Sequence, residues 1–266
     1  MDAHGGSLLA VARSRERSVV TRARSVAPLR LLVPVSPGPA AWVYQSSLGG
    51  GFVGADAIEL EVEVAAGARL FLTSQASGKV YRGAASRCRL DAAIGEDAVL
   101  IAWPDPLACF AGAAFEQRQR FRLARSAGVI CVDAWTAGRI AHGERWAFDT
   151  LALVTEIEID GERVVTEALR VSPRHGALAA RMGDAQAFAT IVIAGEAFAD
   201  VAAAIARDVA ARPPATRPLI AASAWPWGAI VRLAAATTEA LVAAIRDLIG
   251  PPVAGALGAD PLARKW

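Results

Sequence analysis

The chain has 266 residues, 54% of them hydrophobic and 20% charged, with 28 basic against 26 acidic side chains and a net charge of +2. This composition excludes an intrinsically disordered chain and fits one large or two small folded domains. So small a net charge, with arginines spread along the chain, makes nucleic-acid binding a poor first expectation.

Cys88, Cys109 and Cys131 are odd in number and far apart. That suits buried thiols in a reducing compartment better than a disulfide framework or a C-x-x-C metal knuckle. The N-terminus has too short an apolar segment for a secretory signal, and no apolar run approaches the roughly 20 residues that span a bilayer. A cytoplasmic protein with no membrane partner is expected.

In chain order, residues 1–17 are expected to be poorly ordered, and the arginines at 13, 15, 17, 22 and 24 read as a solvated, frayed end. Residues 19–33 supply one or two strands, and the prolines of 34–39 make an irregular connection. A strand over 41–45 leads into Gly49, Gly50, Gly51 and Gly54. These glycines satisfy a G-x-G-x-x-G spacing, but a strand follows them instead of the helix whose N-terminus would hold a pyrophosphate. Gly78-Lys79 likewise lacks the glycine five residues earlier and the hydroxyl afterwards that a phosphate loop needs. No nucleotide is expected on this chain, and the glycines mark a tight crossing of backbone.

From 58 to 64, Ile58, Leu60, Val62 and Val64 alternate with Glu59, Glu61 and Glu63, the pattern of a half-buried antiparallel strand with a wet carboxylate face. A break at 65–68 and a second strand through Leu70 and Leu72 predict a hairpin that ends in Lys79-Val80-Tyr81-Arg82. Strands are then expected at 86–90, at 98–103 (buried on both faces), at 116–123 and at 128–135. In the third of these, Phe115, Gln117, Gln119, Phe121 and Leu123 share one mixed face. Residues 151–171 form a hairpin about Asp160-Gly161, a pair suited to a type I′ turn.

The pattern changes near 186. A strand at 187–194 precedes a helix at 196–212 with Phe198, Val201, Ile205 and Val209 on one face, stopped by Pro213-Pro214. Strands at 219–224 and 229–235 follow. A last helix is capped by Thr237 and ends at Gly250-Pro251. The expected architecture is mainly β, with many antiparallel strands. A β-rich core spans 18–180, and a smaller α+β portion with two helices over 186–266 packs on it.

Several segments resemble the UreD (also UreH) family of urease accessory proteins. They are Gly50-Gly51 followed by Gly54 and Asp56; Thr73-Ser74-Gln75-Ala76 running into Lys79-Val80-Tyr81-Arg82; Trp103-Pro104-Asp105-Pro106 before Cys109-Phe110; and Gly138-Arg139 with Gly143-Glu144. The resemblance covers most of 25–171. Ser77-Gly78 and the ending at 261–266 depart from the family pattern. It implies a non-enzymatic scaffold that binds the urease apoprotein, docks UreF and through it the GTPase UreG, and lets nickel pass toward the nascent active site. It also implies that Asp56, Glu144 and Glu167 line or support the nickel route, and that Lys79, Tyr81 and Arg82 belong to a partner surface. Weak oxygen donors suit transit, because several imidazoles or thiolates would trap the ion.

Two other readings compete. His142-x-Glu144 matches half of a zinc deaminase signature without its cysteine pair. A metal-dependent hydrolase would need a third ligand such as His175 or Asp105 beside His142 and Glu144. Alternatively, the chain is a β-sandwich binding module without a metal role.

Overall fold

The computed structural model describes residues 6–213 and 216–263. The strands run β1 (Ser7–Ser14), β2 (Arg17–Arg24), β3 (Leu29–Leu32), β4 (Ala41–Ser47), β5 (Ala57–Val64), β6 (Arg69–Ser74), β7 (Lys79–Val80), β8 (Ser86–Ile94), β9 (Val99–Ala102), β10 (Leu107–Cys109), β11 (Ala114–Leu123), β12 (Gly128–Thr136), β13 (Thr150–Ile159), β14 (Glu162–Val171), β15 (Ala187–Ala194), β16 (Leu219–Trp225) and β17 (Gly228–Ala235). The helices are α1 (Leu178–Met182), α2 (Ala199–Ala210) and α3 (Thr238–Leu257). They build two face-packed sheets. One is seven-stranded, in the order β14-β13-β11-β8-β5-β1-β2; the other runs β16-β17-β15-β12-β9-β6-β4-β3, with β10 beside β12 and β7 beside β10.

The mainly β expectation holds, but the sheets are mixed and not antiparallel throughout. From β4 to β13 the longer strands alternate between the two sheets, so that β5, β8, β11 and β13 run parallel in one and β4, β6, β9 and β12 parallel in the other. The expected hairpin of β5 with β6 is therefore absent. β5 pairs with β1 and β8, while β6 lies across the core between β4 and β9.

The corners between the layers explain this course. An apolar residue, three further residues, a buried alanine and another apolar residue recur about every 30 positions, at Val64/Ala68/Leu70, Ile94/Ala98/Leu100 and Leu123/Ala127/Val129. The corners stack on one another, with Gly95 N–H donating to Val64 O at 2.9 Å and Ala124 N–H to Ile94 O at 2.9 Å. Each turn of the coil thus satisfies the backbone of the one before. The coil stops at Asp160-Gly161, where both residues have positive φ and the chain doubles back as an antiparallel hairpin.

Alternation fixes which side chains face inward. On β5 the aliphatic set is buried and Glu59, Glu61 and Glu63 are exposed, as the pattern predicts. The mixed face of β11, Phe115, Gln117, Gln119, Phe121 and Leu123, turns into the sandwich. At the glycine crossing, Gly49 and Gly50 have positive φ, and a Cβ on Gly51 would stand 2.4 Å from Lys79 O.

The N-terminal segment expected to be poorly ordered carries β1, and the arginine-rich stretch expected to fray is paired with it as β2; residues 1–5 fall outside the described chain. The C-terminal portion does not form a lobe of its own: β15, β17 and β16 extend the second sheet past β12. α2 and α3 cover its outer face and bury a second cluster with Trp42, Ile101, Ile130 and Ile191. α2 buries Phe198 just before its start and Ile205 and Val209 along it; Val201 is only partly buried, and Pro214 lies outside the described residues.

α3 departs from expectation. Thr237 caps it, accepting from Ala240 N–H at 3.1 Å, but the helix continues through Pro251 and Pro252 to a left-handed Gly258. Its buried face, Leu241, Ile245, Ile249, Val253 and Leu257, runs past the prolines without a gap. With 20 residues and a mean hydropathy of 1.4, α3 is long and apolar enough to cross a membrane by those measures alone. In this fold one of its faces is packed on the sheet.

Candidate functional site

Between the sheets lies a cavity of about 300 Å³. Its mouth is formed by the segments around Ser46, Ser74 and Asp105, and its inner wall by Cys88, Gln117, Gln119 and Asp133. The mouth is ordered by a reciprocal pair: Asp105 N–H donates to Ser74 Oγ at 2.8 Å, and Ser74 Oγ–H donates to Asp105 Oδ2 at 3.0 Å.

Asp133 sits in β12, whose inward residues are otherwise Val129, Cys131 and Trp135. It is half-buried, and it lines the cavity. Oδ1 accepts from Gln117 Nε2 at 2.6 Å and from Gln119 Nε2 at 2.7 Å, and Oδ2 accepts from Thr155 Oγ at 3.0 Å. Burial raises its pKa, the three hydrogen bonds oppose that rise, and the nearby Glu167 carboxylate adds to it. Because Gln117 and Gln119 spend their amide N–H groups on Asp133, their carbonyl oxygens are left for other partners.

The thiols beside this carboxylate are held neutral. Burial, reinforced by Asp133, pushes Cys88 up to about 12 and Cys131 well above its ordinary value. Protonated thiols are poor metal ligands, so the wall offers oxygen donors.

The residues expected from sequence fall into three surroundings. Asp56 precedes β5 and closes a turn, with Oδ2 accepting from Val53 N–H at 2.8 Å; its neighbours Phe52 and Ile58 line the cavity and it does not. Glu144 lies in the loop after β12, bound to the Arg139 guanidinium and accepting Ala111 N–H at 3.0 Å. Those bonds, chiefly the one from Arg139, lower its pKa to about 2.

Glu167 does not line the cavity but is coupled to Asp133 on its wall. It stands directly across β13–β14 from Thr155, which bonds Asp133, and it accepts from Arg232 Nε of β17 at 3.1 Å. A polar layer therefore crosses the sandwich, from Gln119, Thr155 and Glu167 in one sheet to Asp133, Thr190 and Arg232 in the other.

Lys79 and Arg82 are exposed, while Tyr81 meets Phe110 edge-on at 5.1 Å and Arg139 lies over the Phe110 ring at 4.2 Å. Among the described residues no three His, Cys, Asp or Glu side chains gather as metal ligands would. The hydrolase reading is left without its third ligand.

Sequence pattern places Gln117 and Gln119 on a mixed strand face but marks none of Asp133, Gln117, Gln119 and Thr155 as a site residue. The available signal is a lone carboxylate inside the apolar strand at 128–136, together with two glutamines on an otherwise apolar strand face.

The family model described as UreD urease accessory protein matches residues 3–266. The chain belongs to the UreD family. It is 43% identical to the "Urease accessory protein UreD" of Sorangium cellulosum (strain So ce56) over 98% of this chain and 84% of that protein. It is 40% identical to its namesake in Anaeromyxobacter sp. (strain Fw109-5), over 98% of this chain and 89% of that one. It is also 32% identical to "Urease accessory protein D" of Arabidopsis thaliana, over 73% of this chain and 69% of that protein. Membership extends beyond the 25–171 region where the motifs lie, so the UreD fold takes in β15–β17 and the two long helices.

Proposed function

We propose that this chain is a non-enzymatic maturation scaffold for urease. It binds the urease apoprotein, docks UreF and through it the GTPase UreG, and passes nickel toward the urease active site through the space between its sheets. It works in the cytoplasm and binds no nucleotide itself. The observation that carries the proposal is the Asp133 carboxylate on the wall of a cavity between the sheets, oriented by the amide N–H groups of Gln117 and Gln119 and the Thr155 hydroxyl and flanked by protonated thiols. A divalent ion needs oxygen ligands that bind weakly enough to let go, and such a wall supplies them.

On this reading Asp133 and Glu167 act along the route. Asp56 and Glu144 shape the loops beside it, through the turn at 53–56 and the Arg139 clamp. Lys79, Tyr81 and Arg82 form part of the surface offered to partners.

The test is co-expression of urease and its accessory proteins with the Asp133→Asn variant of this chain. The urease is then purified and its nickel content measured. Nickel per urease should fall several-fold while the variant still co-purifies with its partners; full loading with Asp133→Asn would remove the cavity from the mechanism.

A further inference from the structure

The two sheets have four outer strands, β14 and β2 in one and β16 and β3 in the other. Unpaired strand edges invite pairing with another chain unless they are blocked. Three of the four are blocked. β2 carries Arg17, Arg22 and Arg24, and its Ser18 N–H is taken by Pro39 O at 2.6 Å. β3 has Leu29 N–H bound to Val26 O and Leu31 N–H bound to Ser25 Oγ, each at 3.0 Å. β14 bears Glu162, Arg163, Glu167 and Arg170.

β16 has none of these guards. Its seven residues, LIAASAW, include no charge, and Leu219, Ala221, Ser223 and Ala224 are exposed. Among the described residues, no backbone group of β16 bonds outside β17. It reaches β17 through a two-residue turn with Trp225 opposite Gly228. That register spends the backbone groups of Leu219, Ala221, Ser223 and Trp225 on β17 and points those of Ile220, Ala222 and Ala224 outward.

We propose that β16 pairs antiparallel with β16 of a second copy of this chain, about a two-fold axis through Ala222. The occupant is set by the strand's own symmetry. Pro218 and Pro226 bracket it at equal distances from Ala222, and a proline cannot donate to a ladder. In the Ala222-centred register every outward group finds a partner and both prolines fall outside the ladder, giving on the order of six hydrogen bonds between the chains.

The same register sets Leu219 against Trp225 and Ile220 against Ala224. An uncharged strand meets its own copy without repulsion, and α2, which packs over β16, meets its symmetry mate on the same face. Each chain has one such edge, so assembly closes at the dimer.

Sedimentation equilibrium of the full chain, from about 1 to 100 µM, should show a reversible monomer–dimer equilibrium. Ser223→Lys, an exposed position that leaves β17 pairing untouched, should weaken it at least about tenfold with an unchanged melting temperature. Ala222→Cys should oxidise to a disulfide-linked dimer, since directly opposed bonded residues lie about 5.5 Å apart between Cα atoms, and Ala224→Cys should not. A monomer throughout that range, dimerisation of Ser223→Lys at the wild-type strength, cross-linking at 224 without 222, or open-ended oligomers would each overturn the proposal.

Discussion

Asp133 shows how one side chain sets a balance between stability and use. A carboxyl whose folded pKa lies above its ordinary value binds its proton more tightly in the folded state, so folding stability falls as the pH rises through that interval. Above it the carboxyl is ionised in both states, and the folded protein carries the full cost of burying the charge. Asp133→Asn keeps an oxygen for Gln117 and Gln119 and removes that cost. The variant should therefore melt at a higher temperature than the parent at pH 8, with the gap closing as the pH falls toward the ordinary carboxyl range near about 3.9. Thermal melts of both proteins across pH check this; a gap that is constant or widens on acidification contradicts the assignment. Stability gained where nickel loading is lost is the expected mark of a group kept for function. Sequence pattern could not weigh this residue. Asp133 differs from an exposed aspartate only through Gln117, Gln119 and Thr155, which lie 14 to 22 positions away along the chain. Only family likeness points to Asp56 and Glu144, and the turn and the guanidinium that engage them are likewise invisible in composition.

At the level of elements, what was legible depended on how local the cause is. The β13–β14 hairpin, the wet and dry faces of β5 and the cap of α3 each follow from residues within one segment. The parallel coil does not: β5 finds β8, and β8 finds β11, about 30 residues on. Its trace in the sequence is the recurring buried corner alanine at 68, 98 and 127, a spacing easily hidden by an alanine-rich composition. Sequence pattern ends α3 at Gly250-Pro251, because proline ends helices in isolation. Tertiary burial of Ile249, Val253 and Leu257 outweighs that local preference. The two forces can be compared directly. Removing the cap with Thr237→Ala should cost about 1 kcal/mol, whereas Ile249→Ala, which opens a void in the cluster beneath the helix, should cost about 2–5 kcal/mol. Urea denaturation of the two variants measures both, and a cap variant costlier than the core variant would mean that local signals, not packing, hold the helix.

The whole molecule is three layers deep: the seven-stranded sheet, the second sheet, and the helices. The middle layer is shared, since β12 sends Val129, Cys131 and Trp135 to one cluster and Ile130, Val132 and Ala134 to the other. A boundary near 186, which the change of sequence pattern suggests, would therefore cut through a sheet. A chain ending at residue 184 would leave β12 as an unguarded edge and uncover Ile101, Trp103, Ile130 and Val132 on the outer face. Such a surface is large, apolar and edged by free backbone, the combination that drives aggregation. The fragment should be insoluble or unfolded, and the full chain should lose both clusters together. Tryptophan emission reports on both, because Trp42 and Trp103 lie in the helix-covered cluster and Trp135 and Trp146 between the sheets. In each of Trp103→Phe and Trp135→Phe, the midpoint by fluorescence should coincide with that variant's own midpoint by far-ultraviolet circular dichroism. A soluble, folded 1–184 fragment, or two separated midpoints, would show that the helical portion is a domain of its own.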